Sequence, residues 1–331
     1  MFDPIERREI PEEWIRKSSI PSDVLKAGIE SGKFLLLPDG NVLRRGFTTG
    51  TTASAASKAA VLSISESVDR VSVMTPIGIR VELPVESASG VGRAIKYAGD
   101  HEFDVTDGIE IVATARLIDK GIVIKAGKGI GRFEDGRPAI NAAPMASIEE
   151  AVREALTMIN KEGAEVTIEV EDGERIAKET LNTEYGVYGG ISILGTTGFV
   201  EPWNEHLEEM VKLVIERSSK VALTTGRRGA NFARELLKDH EVVVIGSRFD
   251  IIREVEDKVE ELVLCGLPGL ILRWGNPDIL KSTSFRTVRA MVLENPDDEA
   301  VDDAIRRIKK QHPHLRVLLF NFDGSTLRDV R

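Results

Sequence analysis

Residues 79–85, IRVELPV, alternate apolar and polar positions, so Ile79, Val81, Leu83 and Val85 share one face of a strand. Pro84 cannot donate to a ladder and puts that strand at a sheet edge. The same period of two returns in IEIVATAR (109–116), GIVIKAG (121–127) and AEVTIEV (164–170). Between them, Ser147-Ile148-Glu149-Glu150 reads as a capping box, predicting a helix with the apolar face Ile148, Val152, Leu156 and Ile159. Upstream, residues 1–33 predict two short polar helices, the second opening at Pro21-Ser22-Asp23. A hairpin is predicted around Pro38-Asp39-Gly40-Asn41. In GFTTGTTASAASKAAVLS, Thr49, Gly50 and Thr51 suit a helix cap, and the alanines predict helix from about 52 to 65. Strands with isolated helices and no regular βα beat indicate an α+β domain.

After Trp203 the pattern changes. Leu207, Met210, Val211, Val214 and Ile215 stand at helical spacing. Apolar strands VALTT (221–225), EVVVIG (241–246), LVLCG (262–266) and LRVLLFNF (315–322) then alternate with amphipathic helices. That beat predicts a parallel, Rossmann-like, three-layer α/β/α domain. The expected organisation is an extension over 1–42, an α+β domain over 43–203 and a Rossmann-like domain over 204–331.

Length and charge narrow the function classes. A chain of 331 residues is long enough for two cores. A net charge of −10 argues against a broad phosphate-backbone surface, and aromatics at 5% leave little for base stacking, so no nucleic-acid partner is expected. Cys265 is the one cysteine, which excludes an internal disulfide or a cysteine zinc site; it reads as a small buried strand residue. The start, MFDPIERREIPEEW, lacks a signal-peptide core, and the apolar run Leu262–Leu272 is broken by Gly266, Pro268 and Gly269. The expectation is a cytoplasmic protein without a membrane partner.

Five segments could carry chemistry. In GGISILGTTG, glycines Gly189, Gly190, Gly195 and Gly198 stand with Ser192, Thr196 and Thr197; they serve either a tight backbone crossing or a nest of amides around a polar ligand. No lysine follows as in a Walker A loop, and the spacing is not G-x-G-x-x-G. In RRGFTTGTT, Arg45, Thr48, Thr49, Gly50 and Thr51 lead into a helix N-terminus, which favours an anion. KAGKGIGRFEDGRPAIN (125–141) sets Lys125, Lys128, Arg132 and Arg137 among glycines, misses the P-loop spacing, and would suit a ligand with several carboxylates. Asp100, His101, Glu102, Asp104 and Asp107 cluster without metal-site spacing, so no protein-bound metal is expected; Asp100 or Asp104 could act as a base. TTGRRGANFAREL (224–236) puts Arg227 and Arg228 at a strand-to-helix turn of the parallel sheet, a second place for a cofactor.

Several of these segments together resemble the CbiD family of cobalt-precorrin-5B C1-methyltransferases of anaerobic cobalamin biosynthesis. The resemblance rests on LRRGFTTGTTASAASKAA, VMTPIGIRVELPV, the AGD and DVTDG core of 98–108, KGIGR, GRPAIN with Pro144, and GGISILGTTGFVEP, and covers roughly 43–202. It implies transfer of a methyl group from S-adenosylmethionine to C1 of a ring-contracted cobalt corrinoid, giving cobalt-precorrin-6A. The corrinoid's acetate and propionate arms would account for cationic loops on an acidic chain, and its cobalt belongs to the substrate. It further implies that GGISILGTTG and the GFTTGTT turn line the donor and macrocycle cleft. A Gly195→Val variant would then lose turnover yet stay folded.

The chain departs from the family pattern in places. Thr52 stands where members commonly carry cysteine. Gly266-Leu267-Pro268-Gly269-Leu270 replaces a glycine-histidine-x-glycine-lysine pattern, Ser282-Thr283-Ser284 replaces threonine-histidine-serine, and the first forty residues have no counterpart. Two other readings compete: a corrinoid-binding or escort protein without transfer, marked by corrinoid binding without S-adenosylmethionine, and a nucleotide enzyme, marked by magnesium-dependent ATP binding.

Overall fold

The computed structural model describes the chain except residues 181, 183–185, 204–210, 213, 216, 282 and 286. The expected helical positions Leu207 and Met210, and Ser282, lie outside the described residues. The fold is mixed α/β and divides into two compact units, Met1–Glu205 and His206–Arg331.

The first unit opens with the paired strands β1 (Phe2–Asp3) and β2 (Arg8–Glu9), then helices α1 (Glu12–Lys17) and α2 (Ser22–Glu30). The hairpin β3 (Phe34–Leu36) and β4 (Val42–Arg44) turns at Pro38–Asn41, as its punctuation predicts. Strand β5 (Gly46–Phe47) leads into α3 (Thr49–Leu62), which begins three residues before the expected start because Thr48 is the cap. Then come the hairpin β6 (Arg70–Met74) and β7 (Arg80–Pro84), followed by β8 (Glu86–Ala88), β9 (Val91–Ile95), β10 (Glu110–Leu117) and β11 (Gly121–Ala126). After β12 (Arg132–Phe133) run α4 (Ala142–Met158), β13 (Gly163–Glu169), α5 (Gly173–Ala177), β14 (Val187–Tyr188) and β15 (Phe199–Val200).

The main sheet of this unit has the order β11-β13-β10-β9-β8, with only β11 and β13 parallel. Helix α3 packs against β9, β10 and α4, and every one of its residues is buried. Alanines make that possible, because a helix with small side chains on all faces can lie close to sheet and helix at once. Helix α4 buries Ile148, Val152 and Leu156 of the predicted face, but Ile159 falls at its C-cap and it starts at Ala142 rather than at the Ser147 capping box. Pro144 sits in its first turn, where a missing N–H is not needed. Residues of the N-terminal segment form a separate small core of Ile10, Leu25, Ile29 and Leu36.

The second unit carries β16 (Lys220–Thr224), β17 (Glu241–Val244), β18 (Glu261–Gly266), β19 (Arg316–Phe320) and β20 (Thr326–Val330). Their order is β17-β16-β18-β19-β20; the first four are parallel and β20 closes the edge antiparallel. The sequence pattern does not announce β20, because TLRDV is half polar and exposed. Helix Arg227–Leu236 packs on β16 and β18, and Pro268–Gly275 packs on Glu299–Gln311. Cys265 is fully buried in β18, and burial pushes its thiol up to about 12. Among the described residues, no helix is long and apolar enough to cross a membrane.

Candidate functional site

The candidate segments meet where α3 begins. Thr48 is extended there, and its hydroxyl accepts the Thr51 N–H at 3.3 Å, an N-cap satisfied by its own side chain. Opposite it runs GGISILGTTG. Thr48 N–H donates to Gly198 O at 3.1 Å, and Gly50 N–H donates to Leu194 O at 3.0 Å. Thr49 Oγ1 donates to Ser192 O at 3.0 Å and accepts the Leu194 N–H at 2.9 Å. Thr51 Oγ1 donates to Gly198 O at 2.8 Å. The two glycine-threonine segments therefore clamp each other.

The other side of the same run is tied to the cationic glycine loop. Ile191 N–H donates to Gly129 O at 2.9 Å, and Gly131 N–H donates to Ile191 O at 2.8 Å. Ile193 N–H donates to Ala139 O at 2.8 Å, and Asn141 N–H donates to Ile193 O at 3.0 Å. Arg132 and Phe133 pair with Tyr188 and Val187 in the β12–β14 ladder. Three motifs distant in sequence thus meet in one seam, with GGISILGTTG in the middle.

The glycines of that run have a packing reason. A Cβ on Gly190 would stand 2.3 Å from Gly129 O, and one on Gly195, whose φ is +132°, would stand 2.3 Å from Thr48 Oγ1. A valine at Gly195 therefore collides with the cap of α3, so the expectation that this variant stays intact does not hold. The amides of Ile191, Ile193 and Leu194 are committed inside the fold. Outward lie Gly189, Leu194 and Thr196, with Ser192, Gly195 and Thr197 half-buried and Gly190 and Gly198 buried. Ser192 Oγ donates to Asn182 at 3.2 Å, and Thr197 Oγ1 accepts the Phe199 N–H at 3.2 Å.

The cations differ in what holds them. Lys125 pairs with Glu165 at 2.8 Å, and Arg137 pairs with Asp135 at 2.6 Å. Arg132 donates to two carbonyl oxygens, Gly136 at 3.0 Å and Ala126 at 3.4 Å. Lys128 is exposed and is held through its backbone: its N–H donates to Glu169 at 3.2 Å and its carbonyl accepts the Val170 N–H at 2.9 Å. Arg45 is apart from these. Its side chain is fully buried, and it pairs with Asp3 at 2.8 Å and Glu201 at 3.0 Å while donating to Phe34 O at 2.6 Å. That arginine bolts β1 to Glu201, the residue after β15, and its side chain reaches no open surface.

The acidic cluster does not converge. Asp100 takes the Arg44 guanidinium at 2.9 Å and the Arg44 N–H at 2.8 Å. Asp107 accepts the Ala98 N–H at 2.7 Å. Asp104 pairs with buried Lys96 at 2.6 Å. Burial alone would raise the Asp104 carboxyl, but Lys96 and Thr106 outweigh it and hold the group below its ordinary range. Burial lowers His101 from its usual value. Among the described residues, no three His, Cys, Asp or Glu side chains come together as a metal site.

In the second unit, Arg228 donates to Phe322 O and lies 5.9 Å over the Phe232 ring. Gly229 fits closely against Gly266, where a Cβ would stand 2.9 Å from the Gly266 Cα. Tyr188 and Leu194 of the first unit were not singled out in the sequence, yet they stand 49% and 46% exposed beside the seam. Alternation could have found Leu194: Ile191 and Ile193 face the core, so Ser192 and Leu194 face out.

The family model described as CbiD matches residues 37–202, which contain all three motifs of the seam. The chain belongs to the CbiD family. A relative from Methanosarcina acetivorans, named cobalt-precorrin-5B C(1)-methyltransferase, is 47% identical and covers 100% of this chain and 99% of its own length. A relative of the same name from Methanococcoides burtonii is 46% identical over 99% of this chain and 98% of its own. The crystal structure of a cobalamin biosynthesis protein (cbiD) from Archaeoglobus fulgidus is 35% identical, with a TM-score of 0.73 over 97% of this chain and 100% of that one. The CbiD match begins near residue 37, but the Methanosarcina relative aligns over the whole chain, so the first forty residues do have a counterpart.

Proposed function

We propose that this CbiD-family chain is the C-methyltransferase that moves a methyl group from S-adenosylmethionine to C1 of cobalt-precorrin-5B, giving cobalt-precorrin-6A in cobalamin biosynthesis. The observation that carries the reading is 47% identity spanning essentially the full length of both chains with a relative of that name. The seam supports it physically, since an acidic chain presents Lys128, Arg132 and Arg137 on one exposed loop, suited to a substrate with many carboxylates. The sulfonium already activates the methyl group. The S–C bond breaks with its electron pair left on sulfur, and C1 supplies the pair for the new bond. The protein's task is then alignment, which can contribute up to about 7–11 kcal/mol.

On this reading, the outward edge of GGISILGTTG, with Ser192, Thr196 and Thr197, meets the donor or the macrocycle edge beside the Thr48–Thr51 turn. Thr49 and Thr51 hold that edge in place, while Arg45, with its donors engaged internally, holds the scaffold. Asp100 and Asp104, committed to Arg44 and Lys96, position their loop rather than take a proton. We read the second unit, with four parallel strands, as the Rossmann-like domain. The test is anaerobic incubation of the chain with S-adenosylmethionine, measuring S-adenosylhomocysteine. Formation that depends on added cobalt-precorrin-5B supports the reading. Corrinoid binding without any transfer would favour an escort protein.

A further inference from the structure

We infer that Tyr188 and Leu194 form the apolar bed for one face of the macrocycle, with Lys128 and Arg132 holding its carboxylate arms; this rests on the corrinoid reading above. The run from Val187 to Leu194 sends its bulk two ways. Val187, Ile191 and Ile193 are buried, whereas Tyr188 and Leu194 stand 49% and 46% exposed. A single exposed leucine needs no explanation, but two large apolar side chains kept outward on one short run bordering the seam are apolar area available to a ligand face.

The charges beside this run favour the same occupant. Arg132 stands directly across from Tyr188 in the β12–β14 pair. The carbonyl oxygens of Gly136 and Ala126 aim its guanidinium without neutralising it. Lys128 is exposed as well, and among the described residues no carboxylate lies within ion-pair reach of its ammonium. The nearby acids are engaged: Asp135 pairs with Arg137, and Glu134 Oε1 accepts from the Tyr188 hydroxyl at 3.4 Å. Apolar area bordered by uncompensated cations fits a molecule that is flat and apolar across its faces and anionic at its rim. A corrinoid with free acetate and propionate arms has that chemistry. A Walker A triphosphate loop would follow its lysine with a Ser or Thr that holds magnesium, and here Gly129 follows Lys128.

The experiment is anaerobic titration of the full chain with cobalt-precorrin-5B, followed by visible absorbance, with the KM for S-adenosylmethionine measured in parallel. Burying a ring or a leucine side chain corresponds to about tenfold in affinity. Tyr188→Ala and Leu194→Ala are each expected to weaken corrinoid binding about tenfold and leave the KM for S-adenosylmethionine unchanged. Tyr188→Phe is expected to keep wild-type affinity, because the ring rather than the hydroxyl makes the bed. If the wild-type chain binds the corrinoid and both alanine variants bind equally well, the bed is refuted and the corrinoid reading stands. If the wild-type chain does not bind, the corrinoid reading falls and the bed with it.

Discussion

Arg45 shows how a residue can look like a ligand contact and serve the scaffold instead. A cation next to a glycine-threonine turn suggests anion binding, but its partners lie far away in sequence, at Asp3 and Glu201. Only folding brings them together, so the pairing was not legible in sequence. Removing one member of a buried pair leaves the other charged and unpaired, at a cost of about 3–5 kcal/mol. Arg45→Met is therefore expected to lower the unfolding transition of the first unit by that order in a denaturant titration; an unchanged transition would contradict the pairing. Glu154 gives a second case at this scale. The Arg80 guanidinium first, then the Lys58 ammonium, hold it at about 2 against an ordinary 4.5. A carboxyl depressed in the folded state binds fewer protons than in the unfolded chain, so its stabilisation is complete above 4.5 and fades as pH falls from there towards 2. Stability of the wild-type chain should drop more steeply across that window than that of Glu154→Gln; parallel curves would refute the assignment.

At the scale of elements, the hairpin at Pro38–Asn41, the sheet strands β10, β11 and β13 and the parallel strands β16 to β19 were legible, because each follows a local period or a turn signal. Three features were not. The start of α4 lay hidden because Asn141 caps it without a side-chain hydrogen bond while Ser147 mimics a capping box downstream. Strand β20 lacks an apolar period. The seam itself depends on hydrogen bonds between segments far apart, which no local pattern records. The segment list of the candidate site was therefore visible in sequence, but the division of labour within it was not. The glycine-rich run is a structural crossing on its inner side, and only its outer edge is open. A Cβ at Gly195 would meet the Thr48 cap, so even Gly195→Ala should destabilise the first unit by more than the roughly 1 kcal/mol typical of losing an N-cap. Thermal melting would show this, and a variant with wild-type melting would overturn the packing argument.

For the whole molecule, the first unit draws the N-terminal segment into its own structure, through the Arg45–Asp3 pair and the burial of Ile5 in the main core. The net charge of −10 spread over the chain leaves the cations of the 125–137 loop as a local exception, and short-range pairing rather than net charge decides binding there. The central claim is methylation at one ring carbon. Its most direct test is anaerobic turnover with S-adenosylmethionine isotopically labelled in its methyl group, followed by magnetic resonance of the isolated corrinoid. Label at C1 is the predicted result. Label at another ring carbon, or none in the corrinoid while a family member of proven activity transfers it under the same conditions, would contradict the claim.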